Sequence, residues 1–165
     1  MRNDEPEMSR IDISINSQEL LFIDKNNNIL SYSISTARNG AGEQNGSNCT
    51  PRGRHVVRAK IGAGCPENTV FVGRRPTGEI YSLELKQQYP DRDWMLTRIL
   101  WLSGCEVGFN RLGSVDTMRR YIYIHAAPDF VPMGVPSSHG CIRMRGPDII
   151  ELFDRVCTGT LVNIV

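Results

Sequence analysis

The sequence lacks the cysteine pattern of a disulfide framework. Its five cysteines, Cys49, Cys65, Cys105, Cys141 and Cys157, are odd in number and include no C-x-x-C pair. That excludes a disulfide-stapled scaffold and a zinc-finger spacing alike. Long apolar runs are also missing. The first, Leu20 to Ile23, is far too short for a signal-peptide h-region, and no stretch approaches the roughly 18 apolar residues of a membrane span. With Met1 as the native start, this places the chain in the cytoplasm, where free thiols persist. A leader removed upstream would place it in the periplasm instead. The formal net charge is only +1, so bulk electrostatics supply no attraction to nucleic acid or to an anionic membrane. Gly40-Ala41-Gly42 and Gly62-Ala63-Gly64 lack the spacing of a phosphate-binding loop.

What is present suits one domain over residues 1–165. A chain of this size buries roughly 70% of its unfolded surface, enough for a core without metal or disulfide. Ile11, Ile13 and Ile15 alternate with polar residues, as in a half-buried strand. Gln18 to Asp24 and Ile29 to Ser35 flank an Asn cluster and read as a hairpin. The run from Arg38 to Gly53 is a long polar loop. His55 to Ile61 and Thr69 to Gly73 are further strands, with a turn at Thr77-Gly78. Gln87 to Asp93 is polar and irregular, and Thr97 to Ser103 is open between helix and strand. Tyr121 to Ile124 is a short strand ending at His125. A loop from Ala127 to Ser137 follows, and its three prolines limit its freedom, so a shaped wall is expected more than a flap. Pro147 opens a helix with Asp148 and Glu151 at its positive end and Ile149, Leu152, Phe153 and Val156 on one face. A final strand spans Thr160 to Val165. The fold class is mostly β with one or two helices.

His125, His139 and Cys141 are the constellation with chemistry. His125 and Cys141 lie sixteen residues apart, and a strand end with a returning loop can join them. A free thiol, with a pKa near about 8.5, is mostly protonated at neutral pH. A neighbouring imidazole can take its proton and later return it to a leaving amine. Gly140 permits a sharp turn that aims the N–H groups of Gly140 and Cys141 at a developing oxyanion, where one donor is worth about 3–4 kcal/mol.

The run Ser138-His139-Gly140-Cys141-Ile142-Arg143-Met144, with His125 upstream, resembles the L,D-transpeptidase catalytic domain, or YkuD family. Thr50-Pro51-Arg52-Gly53 is similar to that family's Thr-Pro-x-Gly segment. The resemblance covers about Ile11 to Val165. It implies a β-sandwich with the cysteine in a cleft and peptidoglycan stem peptides or muropeptides as partners. It implies attack by Cys141 on the carbonyl of the third residue's L-centre, with D-alanine expelled from a thioacyl-enzyme. His125 is then base and acid, and Ser138, His139 and Gly140 shape the turn and oxyanion site. Arg143 is expected to contact a substrate carboxylate, since a guanidinium matches it bidentately. No cofactor is implied, because thiol and imidazole suffice. The bare catalytic domain resembles leaderless members that trim tetrapeptides to tripeptides with water. Transfer to an amine, giving cross-links or exchange of D-amino acids, is the alternative.

Plainer readings stand beside these. Cys141 can be a buried structural thiol and His125 a core histidine. His125, His139 and Cys141 can be read as zinc ligands, although no acidic base is adjacent. An inactive wall-peptide binding module keeps the motif without turnover. Cys49, Cys65, Cys105 and Cys157 read as structural, with Cys157 packed at a helix end. His55 reads as a surface residue, and Arg74-Arg75 and Arg119-Arg120 as solvated faces. Trp94, Trp101 and Phe130 read as core.

Overall fold

The computed structural model describes residues 8–165; the first seven residues of the expected domain lie outside the described part. Among the described residues ten strands form one hydrogen-bonded sheet, confirming the mostly β expectation. They are β1 (Arg10–Ser14), β2 (Glu19–Ile23), β3 (Ile29–Ser33), β4 (Gly53–Ile61), β5 (Thr69–Val72), β6 (Arg75–Ile80), β7 (Met95–Gly104), β8 (Tyr123–Ala126), β9 (Ile142–Met144) and β10 (Leu161–Ile164). Two helices accompany them, α1 (Leu83–Gln88) and α2 (Gly146–Arg155). The ladder runs β3-β2-β1-β10-β4-β7-β5-β6, with β8 joining β7 to β9.

The alternation at Ile11 and Ile13 is that of a half-buried strand: both are buried while Arg10, Asp12 and Ser14 are partly open. Asp24 makes the β2–β3 turn by accepting the N–H groups of Asn26 and Asn28, at 2.8 and 2.9 Å. Residues 95–104, open between helix and strand, form the ten-residue β7. It is the hub of the fold, pairing with β4, β5 and β8. Leu96 to Leu100 are buried without alternation, Thr97 and Arg98 included, as in a strand covered on both faces. α2 lays Ile149, Leu152, Phe153 and Val156 into the main core, as its periodicity indicates.

Local readings needed five corrections. Thr77-Gly78 lies inside β6; the chain reverses at Gly73-Arg74, both in left-handed backbone (φ 55° and 65°). Gln87 and Gln88 belong to α1, whose N-terminus is capped by Ser82 Oγ accepting from the Leu85 N–H at 3.1 Å. Phe130 is exposed, and Cys157 is exposed because α2 ends at Arg155 before reaching it. His55, expected at the surface, is fully buried: its ring nitrogens bond the Gly53 carbonyl and Thr117 Oγ1, both at 3.0 Å. With both ring nitrogens satisfied, an interior position costs little.

Candidate active site

β8 and β9 are parallel neighbours, with His125 opposite Arg143 and Ile124 opposite Ile142. Cys141 sits immediately before β9, one pleat from Arg143, so it shares the sheet face of His125. A strand rise of about 3.3 Å and spacing of about 4.8 Å put the two Cα atoms roughly 8 Å apart, a distance that a ring and a thiol can span. Both side chains line one cavity of about 90 Å³, with Asp93, Arg120, Tyr121, Ile122, Ser138, His139 and Arg143. All the residues singled out in the sequence motif, except Gly140, therefore face a common space.

The turn before β9 is built from small side chains. Ser138 Oγ donates to the Cys141 carbonyl at 2.6 Å and accepts from the Gly140 N–H at 3.2 Å. Gly140 has φ 136°, and a Cβ there would lie 3.0 Å from Ile122 Cδ1 and 3.3 Å from the Cys49 carbonyl. Glycine is required by conformation and space together. Thr50, from the Thr-Pro-x-Gly segment, is fully buried. Its hydroxyl donates to the Gly140 carbonyl at 2.9 Å and accepts from the Ala37 N–H at 3.0 Å. The segment after β3 lies along the motif, with Ser35 and Arg143 exchanging backbone bonds at 2.9 Å. The loop from Ala127 to Ser137 is tied to the same segment, with Gly134 N–H on the Ile34 carbonyl and Ser137 N–H on the Thr36 carbonyl, both at 2.8 Å.

The His125 Nδ1 lies 2.7 Å from its neighbour's carbonyl, that of Ala126. A carbonyl only accepts, so the ring carries its proton on Nδ1 and Nε2 is the basic nitrogen. Burial holds the imidazole well below its ordinary pKa, against the Ala126 bond and the nearby Asp93 carboxylate, which favour the cation. Burial likewise pushes the Cys141 thiol up to about 11. The Tyr123 N–H, 3.4 Å from the sulfur, and the Arg143 and Arg120 guanidiniums pull the other way. Thiol and imidazole are both neutral at rest.

Asp93, Arg120 and Tyr121 were not singled out by the sequence as site residues. Asp93 accepts from the Arg143 guanidinium at 2.8 Å and lies 3.9 Å from His139 Nδ1. Arg120, expected on a solvated face, instead threads the 38–53 loop, donating to the carbonyls of Gly42, Glu43 and Cys49 at 3.2, 3.2 and 2.6 Å. Tyr121, expected in a strand, is a turn residue with φ 55°. The adjacent polar loop gave no signal for Asp93, and left-handed backbone at a tyrosine has none. Among the described residues no three His, Cys, Asp or Glu side chains converge on a metal site.

The family model of the L,D-transpeptidase catalytic domain, YkuD, matches residues 8–164. The chain belongs to this family. No curated protein matches. Among solved structures, an L,D-transpeptidase from Xylanimonas cellulosilytica is 16% identical with a TM-score of 0.61, covering 99% of this chain and 63% of that one. L,D-transpeptidase 3 from Mycobacterium tuberculosis, solved with a faropenem-derived adduct, is 16% identical with a TM-score of 0.59, covering 94% and 59%. An Enterococcus faecium L,D-transpeptidase is 18% identical with a TM-score of 0.57, covering 96% and 50%. The chain thus has the YkuD fold and spans less than two thirds of these solved relatives.

Proposed function

We propose that this YkuD domain is a cysteine acyl-transfer enzyme of peptidoglycan stem peptides. In this reading Cys141 attacks the carbonyl of the third residue's L-centre and His125 manages the proton. The observation that carries the reading is the enclosure of thiol and imidazole in one cavity, with the ring's own proton anchored on Ala126. As the sulfur–carbon bond forms, Nε2 of His125 takes the thiol proton; as the carbon–nitrogen bond breaks, the ring returns it to the departing amine of D-alanine. Because burial favours the neutral pair, the thiolate arises with the attack rather than before it. The Gly140 N–H is engaged by Ser138 at 3.2 Å, so the Cys141 N–H is the oxyanion donor we assign. His139, exposed at the cavity rim beside Asp93, orients the entrance.

Water is the acceptor we propose, giving an L,D-carboxypeptidase that trims tetrapeptide to tripeptide in recycling. Five unpaired cysteines suit the cytoplasm, the compartment in which recycled tetrapeptides would be trimmed. Incubation with a disaccharide tetrapeptide tests both halves. Tripeptide as sole product, with a covalent adduct on wild type and none on Cys141→Ser, is the expected result. Dimers or exchange with added D-amino acid would make it a transpeptidase. Peptide binding without any adduct, retained in Cys141→Ala, would reduce it to a binding module.

A further inference from the structure

One side of the site carries cations without carboxylate partners. Arg143, which lines the cavity with Cys141, is paired with Asp93 and its side chain is only 12% exposed. A substrate carboxylate would have to displace Asp93 to reach it. Arg58 and Arg74 differ: among the described residues neither forms an ion pair. The Arg74 guanidinium lies 4.7 Å from the Trp101 ring centre and 4.9 Å from that of Tyr121, and donates to Tyr123 Oη at 3.0 Å. Arg58 lies 5.5 Å from the same Trp101 ring. A guanidinium stacked on aromatic faces is held flat, with in-plane N–H donors still available.

This shelf adjoins the nucleophile. Tyr121 is exposed and lines the cavity with Cys141, and its carbonyl lies 3.5 Å from the sulfur. Trp101 and Cys141 pack on one cluster of Phe71, Ile99 and Tyr123. Arg74 and Tyr121, the two residues that meet there, both hold left-handed backbone, φ 65° and 55°. The β5–β6 reversal at Gly73-Arg74 and the turn at Tyr121 thus bring the two side chains together.

We infer that Arg58 and Arg74, held over Trp101 and Tyr121, form a carboxylate-recognising subsite that orients the acyl-donor peptide at Cys141. The inference rests on the stem-peptide reading above. A stem tetrapeptide whose third residue bears a side-chain carboxylate offers two carboxylates near the scissile bond, on that side chain and at the D-alanine terminus. Both present the same planar anion, which a guanidinium fork binds through paired charge-assisted hydrogen bonds.

The test compares kcat/KM for the free tetrapeptide with that for two derivatives, one amidated at the terminus and one at the third-residue side chain. Wild type should lose about tenfold or more on one of them, the weight of a charged hydrogen-bond pair. In Arg74→Gln and in Arg58→Gln that acid-over-amide gap should narrow toward unity through KM, and Arg74→Lys should keep part of it. Arg58 is exposed and stacks on Trp101 at 5.5 Å, so its variant keeps the test open if Arg74→Gln fails to fold. A gap that persists in folded variants, or an equal loss on all three peptides, overturns the inference and leaves Arg74 as a packing staple. Equal rates on all three peptides in wild type overturn it alone. No acylation of wild type by any peptide defeats the stem-peptide reading, and the subsite falls with it.

Discussion

At Cys141 the surroundings oppose each other: apolar packing raises the thiol, while one N–H and two guanidiniums lower it, and burial wins. Alkylation of this thiol by iodoacetamide should therefore rise with pH toward about 11, lagging the ordinary thiol range near about 8.5. Peptide mapping by mass spectrometry checks it, and a rate that levels off below pH 8 contradicts it. Acylation by substrate should behave differently, because the proposed mechanism has His125 take the thiol proton within the cavity. Its acid limb should fall well below the ordinary histidine pKa, since burial depresses that ring. Thr50 is the second residue where chemistry decides. Thr50→Val keeps the shape but leaves the Gly140 carbonyl and the Ala37 N–H without their partner in a buried place. Each unpaired group costs about 1–3 kcal/mol, so Tm should fall by several degrees and acylation should slow. An unchanged melting curve would remove Thr50 from the support of the turn.

The element that carries the proposed site is the parallel β8–β9 pair with the turn that feeds it. Parallel neighbours put His125 and Arg143 in register, and the Ser138–Cys141 turn then fixes where the sulfur stands. Gly140→Ala tests that geometry directly. The new methyl would press on Ile122 and on the Cys49 carbonyl in a backbone region closed to L-residues. A displacement of about 1 Å at a reacting centre costs on the order of a hundredfold in rate. Intact-mass kinetics of adduct formation should show such a loss even at temperatures where the variant remains folded. Normal acylation in Gly140→Ala would mean the turn tolerates another conformation.

Across the whole molecule, two buried histidines tie stability to pH. His55 titrates near about 4 in the fold, and His125 is also depressed, both by burial. In the unfolded chain each takes a proton near about 6.5. Between those values the unfolded state binds more protons, so stability increases with pH through this window and is lost as pH falls from about 6.5 toward 4. For His55 the whole span is on the order of 3 kcal/mol. Tm measured from pH 7 to pH 4 should decline, and His55→Gln should flatten the decline. A pH-independent Tm over that range would show that neither ring is buried neutral.

Much of this protein was legible in one dimension. Period-two alternation at Ile11 and Ile13 and the apolar stripe at Ile149, Leu152, Phe153 and Val156 encode burial directly, because strands and helices each have a fixed side-chain period. Ser138-His139-Gly140-Cys141 was readable as a turn because a small hydroxyl that bonds the Gly140 N–H and the Cys141 carbonyl, and a glycine at φ 136°, build it. What the chain order could not disclose depends on contacts between distant segments. Asp93 meets Arg143 across fifty residues. Arg120 becomes a tie for the 38–53 loop, and His55 is buried by Thr117 far along the chain. Thr50 reaches Gly140 across ninety. A lone charge or ring carries no periodic signal, so only the folded sheet settles whether it faces water, a partner or the cavity.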